Sequence, residues 1–370
     1  MNTISHPSSV LDKGSSAIIK DNALHAENAG WLTDTLLELA YKQNWLQLLT
    51  PACYGGMEMP LPDAVAIEEA IAYNDGSMGW VITLCAGAGW FGGFIDPLLA
   101  QHIFKEPSVC VAGSGSVSGT AEISDDGYIL NGTWQYATGT PCATVFTANC
   151  YITQNGQQLK DEQNNPIVRA FILLKDEVII LPTWNKMGMI ATASHSFKVS
   201  NLSVNTQRAF DINTTSPVID APLYRYPFLQ LAEVTLTANI SGIAMHFITL
   251  CEDLFRKKKD RKGTLLADTD DVRIAMNNAH KQMDTARQIF HDTLHTSWQA
   301  CVAGTIDTTL LQKVSSTSHI LTNTARTCVN NLYPYCGLFG AEHDNELNRV
   351  WRDLHTAAQH PLLVFAESNE

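Results

Sequence analysis

The chain has 370 residues, 45% of them apolar, which is enough to bury a large core and more than one domain usually holds. Its formal net charge of −13 argues against nucleic acid or an anionic membrane as a partner, because either needs a net basic surface. Nine cysteines with no C-x-x-C pair predict buried free thiols and a reduced compartment, and Met1-Asn-Thr-Ile-Ser-His lacks the basic start and apolar run of an export signal, so the expected location is the cytoplasm.

From Asp21 to Phe104 the pattern is helical. Leu24, Leu32, Leu36, Leu39 and Ala40 form one apolar stripe and Ala64, Val65, Ile67, Ala70 and Ile71 a second, with Pro51 and Gly55-Gly56 as breaks. Trp80 to Ile95 is apolar but shorter than a bilayer span, and its glycines suit close packing inside protein, so no membrane partner is expected. From Val109 to Val204 the character turns to β-branched runs. In Tyr128 to Gly139, Asn131-Gly132 offers the positive φ angles of a two-residue hairpin turn, and 145–152, 168–174, 178–181 and 197–204 read as further strands. Thr153 to Pro166 is polar enough for an exposed loop. From Leu223 onward helix returns, near 223–256, 268–302, 306–332 and 345–360. The expected fold is α+β and multidomain: a helical domain over 1–106, a small β-barrel or sandwich over 107–221, and a four-helix bundle over 222–370.

The last of these helices carries two histidines. Leu347, Val350, Trp351, Leu354 and Ala358 recur at helical spacing, and Pro361 is expected to end the helix and leave His360 at its C-terminus. Exposed carbonyls there favour an imidazolium, so the His360 pKa is expected to be raised. His355 lies about 140° away around a helix, so only one of the two faces a pocket. His291-Asp-Thr-Leu-His295 is reminiscent of a zinc-protease helix, but it has Asp in place of Glu and no third ligand stands out. It reads as a polar helix face or subunit contact, and no metal is expected. The basic run Arg256 to Lys262 reads as a solvated helix end.

Several stretches resemble the acyl-CoA dehydrogenase superfamily, and within it the flavin-dependent monooxygenase branch: the oxygenase components of two-component (group D) aromatic hydroxylases and the dibenzothiophene sulfur monooxygenases. The resemblance covers most of residues 30–361. Pro51-Ala-Cys-Tyr-Gly-Gly56 is similar to the turn after the second helix. Gly119-Thr-Ala-Glu and Gly127 to Gly139 resemble the flavin-binding hairpin, and Trp184-Asn-Lys-Met-Gly-Met189 with Ala191-Thr-Ala-Ser194 resembles the second flavin loop. Leu223-Tyr-Arg-Tyr-Pro-Phe228 is similar to the entry to the C-terminal bundle, and Asn348 to His360 points to the monooxygenase branch.

This resemblance implies FAD or FMN, reduced in a monooxygenase, together with a small-molecule substrate, a separate flavin reductase and a homotetramer. It implies that Thr138 sets its hydroxyl and amide beside flavin N5. A hydroxyl both donates and accepts, so Thr138 would suit oxidised and reduced flavin alike. It further implies that Tyr136 and Trp184 pack on the isoalloxazine, and that Ser114 and Ser116 approach a flavin edge or phosphate. Gly337, in Gly337-Leu-Phe-Gly340, would meet the neighbouring subunit's adenine end, and His360 would move the proton that oxygen chemistry needs. Two departures accompany it. The dehydrogenase carboxylate positions fall at Pro361 and near Ala232, with Glu233 about 100° out of place and expected to be solvated or interfacial. The arginine common after Gly-Met is Ile190 here. The expected activity is that of an oxygenase component. The alternatives are an FAD-dependent acyl-CoA dehydrogenase and a non-catalytic subunit of the same fold.

Overall fold

The computed structural model describes residues 4–364; Met1–Thr3, the start of the segment read above for an export signal, lie outside it. Helices come first. They are α1 (Lys13–Ala29), α2 (Asp34–Lys42), α3 (Leu61–Asn74), α4 (Gly76–Gly89) and α5 (Pro97–Phe104). Local chemistry sets their ends: the Asp12 side chain accepts from Ser15 N at the start of α1, and Gly30, at φ 78°, closes it in a conformation that costs glycine little.

Eight strands follow: β1 (Val111–Ser124), β2 (Gly127–Ala137), β3 (Val145–Gln154), β4 (Gln157–Gln158), β5 (Val168–Leu174), β6 (Ile179–Leu181), β7 (His195–Asn205) and β8 (Ala209–Phe210). They form one sheet of order β6-β7-β2-β1-β3-β5-β8, with β4 paired to β3. The sheet curls on itself. Phe146 of β3 and Phe197 of β7 have β1 and β2 between them, which in a flat sheet would separate them by about 14 Å, yet their ring centroids are 4.9 Å apart. The curl encloses a core of its own around Trp134, Phe146, Phe171 and Phe197.

The hairpin expected at Asn131-Gly132 is not there. The turn between β1 and β2 is Asp125-Asp126, and Asn131 and Gly132 lie inside β2, paired with Thr120 and Gly119. The register against β7 shifts between Leu130 and Gly132, as at a bulge. The two glycines serve packing rather than a turn: a Cβ on Gly132 would stand 2.6 Å from the Trp134 ring and 2.7 Å from Gly119 Cα.

The rest is helical: α6 (Pro222–Arg225), α7 (Phe228–Phe255), α8 (Asp270–Val302), α9 (Thr308–Cys336), α10 (Glu346–Ala357) and α11 (Pro361–Val364). Pro361 does not end α10 but opens α11, where its missing N–H costs nothing. α7 is the one helix among the described residues long and apolar enough to cross a membrane, and 89% of that window is buried inside the protein. It is a core helix, packed on α3, α4, α9 and α10. One continuous apolar core runs through the helices before and after the sheet.

Two adjacent glutamates of α3 are buried in opposite circumstances. Glu69 takes Arg287 Nε at 2.7 Å and Nη2 at 2.9 Å, His291 Nε2 at 3.0 Å, and the Ser241 hydroxyl. Burial alone would raise its pKa, but His291 and Arg287 hold it below the carboxylate range. This also answers the His291–His295 spacing: His291 serves an ion cluster joining α3, α7 and α8. Among the described residues no group of three potential ligands gathers as a metal site. Glu68 has no hydrogen-bond partner for either oxygen among the described residues, and burial pushes its pKa up to about 8.

A raised carboxyl pKa stabilises the fold at low pH and loses that contribution as pH climbs from the unfolded value toward 8. Glu68→Gln should therefore gain on the wild type over that range, at up to ~1.4 kcal/mol per pH unit. Urea unfolding at about pH 5 and about pH 8 reads the change, and stability curves that stay parallel would contradict it.

Candidate active site

The loop between β6 and β7 is moored on α10. Gly188 passes so close that a Cβ would meet Arg352 O at 2.2 Å and Asp353 N at 2.6 Å. Arg352 Nη1 donates to Met187 O at 2.6 Å and its Nε to Asn348 Oδ1 at 2.8 Å, while its other arm pairs with Glu27 of α1. Met189 N–H donates to the Asp353 carboxylate. Burial, then the negative Asp75 nearby, push the Asp353 pKa up to about 7. Asp75 in turn caps α4 through Met78 N at 2.7 Å. Held in this way, Met189 (φ 55°) and Ala193 (φ 44°) adopt the left-handed conformation that non-glycine residues usually avoid.

Three of the expected flavin-site residues gather around this loop. Tyr136 is 59% exposed at φ 64°, its ring edge-on to Trp184 at 6.2 Å, and Lys186 Nζ lies 5.8 Å from each ring centroid. Trp184 is fixed from beneath by its Nε1–H to Met189 O at 2.9 Å and by its backbone N–H to His195 Nδ1 at 3.1 Å. Thr138 is buried. Its Oγ1 lies 2.9 Å from Ser194 Oγ, which lies 2.8 Å from Thr192 Oγ1, which donates to Met189 O at 2.8 Å. Beside this row is a cavity of about 160 Å³ whose walls include Trp31, Leu37, Val81, Gly139 and Thr192. Thr192, Ser194, Arg352 and Asp353 had no role in the sequence reading, although all four lie inside quoted motifs.

Ser114 and Ser116 stand on β1 beyond Gly119–Gly132, where its ladder with β2 stops. The intervening Gly115 is exposed, and a Cβ there would meet nothing within 4 Å. A flat aromatic cofactor fits these residues: an exposed Tyr136 ring beside a half-buried Trp184, a cation, β1 backbone left unpaired on its β2 side and a buried row of hydroxyls converge at one end of the sheet. Gly337 lies apart from them, at φ 59° between α9 and α10, with Lys258 Nζ 3.0 Å from where its Cβ would be.

His360 faces the helical side. Its ring is 6.0 Å from that of Trp80 on α4, and its Nδ1 has no partner among the described residues. The raised pKa expected for it is overturned: α10 ends at Ala357, His360 is off the helix, and burial pushes the imidazole down to about 4. His355 packs elsewhere, 4.4 Å from the Trp351 ring, so the two histidines do part company. Leu84, Gly87 and Phe91 are half-buried along the same side of α4 and its continuing turn as Trp80, and a Cβ on Gly87 would meet open space. The Phe91 ring lies 5.6 Å from that of Phe228 of α7, tilted 43° to it. Asn239 Nδ2 reaches Thr83 Oγ1 at 2.9 Å, and Asn239 Oδ1 is buried without a partner among the described residues. Glu233 is not solvated: it is buried, accepting from Ser315 and facing His319 Nε2 at 3.4 Å, both on α9.

The fold, helices before and after a central sheet, is acyl-CoA dehydrogenase-like. Residues 234–365 match the family described as acyl-CoA dehydrogenase, C-terminal domain. Over most of its length the chain is similar to the indole-3-acetate monooxygenase of Pseudomonas putida, 25% identical over 319 residues, 85% of this chain and 79% of that one. It is also similar to the flavin-dependent monooxygenase oxygenase subunit HsaA of Rhodococcus jostii, 21% identical over 92% of this chain and 91% of that one. XiaF from a Streptomyces species, solved with FADH2 and glycerol, superposes with a TM-score of 0.85 at 19% identity, over 95% of this chain and 89% of that one. The family match thus covers the C-terminal helical part, and over most of its length the chain is similar to flavin-dependent monooxygenases and shares their fold.

With its pKa at about 4, His360 is neutral at pH 6 and above. Its ring-proton NMR shifts should stay flat from about pH 8 to about pH 5.5 while an ordinary histidine titrates near 6.5. A midpoint in that ordinary range would place the ring in water.

Proposed function

We propose that this chain is the oxygenase component of a two-component monooxygenase, taking reduced FAD or FMN from a separate reductase and placing one atom of dioxygen on a small aromatic substrate. The observation that carries this reading is the buried imidazole of His360, whose Nδ1 has no partner among the described residues and whose ring lies against Trp80, on the side of α4 that also carries Leu84, Gly87 and Phe91.

Reduced flavin, when bound, supplies the two electrons that dioxygen needs. The protein does the rest. Trp184 or Tyr136 offers the ring system one flat face, the other ring stands edge-on beside it, Lys186 adds a positive charge next to both, and Ser114 and Ser116 lie at its edge. The hydroxyl of Thr138 meets the cofactor from the sheet side. The apolar wall keeps water away from the reacting oxygen, which is how a site spares a reactive species from hydrolysis. His360, with a lone pair and an N–H to share, takes and returns the proton at the substrate. The dehydrogenase alternative needs a carboxylate base, and Glu233, turned to α9 and engaged there, does not serve. A homotetramer fits the exposed Ile274, Ile289 and Ile320 of α8 and α9 and the exposed Leu338 beyond them.

The test is to mix the protein with chemically reduced FMN or FAD and ¹⁸O₂ over a panel of small aromatics. Hydroxylated product carrying ¹⁸O is the expected result. His360→Ala should lower its formation by roughly 10²-fold or more while flavin affinity stays within about twofold. Bleaching of bound oxidised FAD by an acyl thioester would establish the dehydrogenase instead, and failure to bind either redox state of flavin would make the chain a non-catalytic subunit.

A further inference from the structure

The row of hydroxyls beneath the candidate cofactor site has a direction, and the direction follows from proton counting. Met189 O cannot donate, so the proton between it and Thr192 Oγ1, 2.8 Å away, belongs to Thr192. A hydroxyl has one proton. Thr192 must therefore accept from Ser194, at 2.8 Å, and Ser194, its own proton spent, must accept from Thr138, at 2.9 Å. All four residues are 4% exposed or less, so the row is closed to bulk solvent. The anchor is firm as well. Met189 O also accepts from Trp184 Nε1, and Met189 N–H is held by Asp353.

We infer that Thr192 and Ser194 are positioning residues that polarise Thr138, leaving Oγ1 with lone pairs only, so that the site prefers a cofactor presenting an N–H at that point over one presenting a bare nitrogen. Reduced flavin carries a proton on N5 and oxidised flavin does not. The row thus biases the site toward the reduced cofactor and toward release of the oxidised one. This narrows the sequence reading, in which a threonine hydroxyl served both redox states equally, and it rests on the flavin reading above.

The ratio of the two dissociation constants, oxidised over reduced, measures the bias without turnover. It is obtained by anaerobic titration with reduced flavin and aerobic titration with oxidised flavin. Ser194→Ala removes the acceptor for the Thr138 proton and lets that hydroxyl rotate to donate, so the ratio should fall by about three- to tenfold, the worth of one neutral hydrogen bond. Ser194→Thr keeps the hydroxyl and should keep the ratio. Thr192→Val cuts the row at a different link and should lower the ratio as Ser194→Ala does, which also covers the case in which the alanine variant does not fold. An unchanged ratio in the folded variants, with the wild type binding flavin, overturns the inference alone. A wild type that binds neither form removes the flavin reading and the inference with it.

Discussion

The close approach of the loop at Gly188 to the backbone of α10 is the constraint on which the site depends. Only a residue without a Cβ lets Met187 O reach Arg352 and Met189 N reach Asp353 at the same time. With those ends fixed, the left-handed residues Met189 and Ala193 cannot relax, and Trp184, Thr192 and Ser194 are delivered together against Thr138. The arrangement has a cost. Asp75 and Asp353 are two buried carboxyls near each other, and Asp353 is driven to about 7 by burial and by Asp75, with Arg349 only partly opposing. A fold that keeps such a pair at its joint spends stability on geometry, as functional sites commonly do.

A second buried charge cluster does comparable work for the helices. Glu69, Arg287, His291 and Ser241 tie α3 to α7 and α8 where apolar packing alone would leave their sliding open. With four donated hydrogen bonds the Glu69 charge is met, whereas Glu68 one position earlier is met by nothing among the described residues. The same residue type one step apart is thus an anchor on one side of α3 and an isolated acid on the other, because about 100° of rotation changes every neighbour.

Much of the architecture was legible from periodicity. The 3.6-residue apolar spacing placed the long C-terminal helices to within a few residues, and β-branched runs placed β3 and β5. The errors share a cause: short motifs read without the partner that overrides them. Asn131-Gly132 carries a strong turn signal, but the large Trp134 indole needs the space above Gly119 and Gly132, and packing of the curled sheet prevailed. His360 was assigned a helix-end charge, but the helix stops at Ala357 and desolvation governs the ring. The site's supports were out of reach of any local pattern: Asp353 meets Met189 across 164 positions, and Glu69 meets Arg287 across 218. Thr192 and Ser194 were in view inside a motif, but their role depends on hydrogen-bond direction, which spacing does not encode.

The curled sheet, finally, has a core of its own, separate from the helical one, and the candidate site lies along the seam between the two bodies. Whatever fills that seam touches both. Occupancy then acts as cement: a molecule bound there stabilises the assembly of sheet and helices by mass action, and its departure leaves the seam as the weakest line in the molecule. A protein built this way would report the supply of its own cofactor through its resistance to heat and proteolysis, so that chains without cofactor are the first to be cleared.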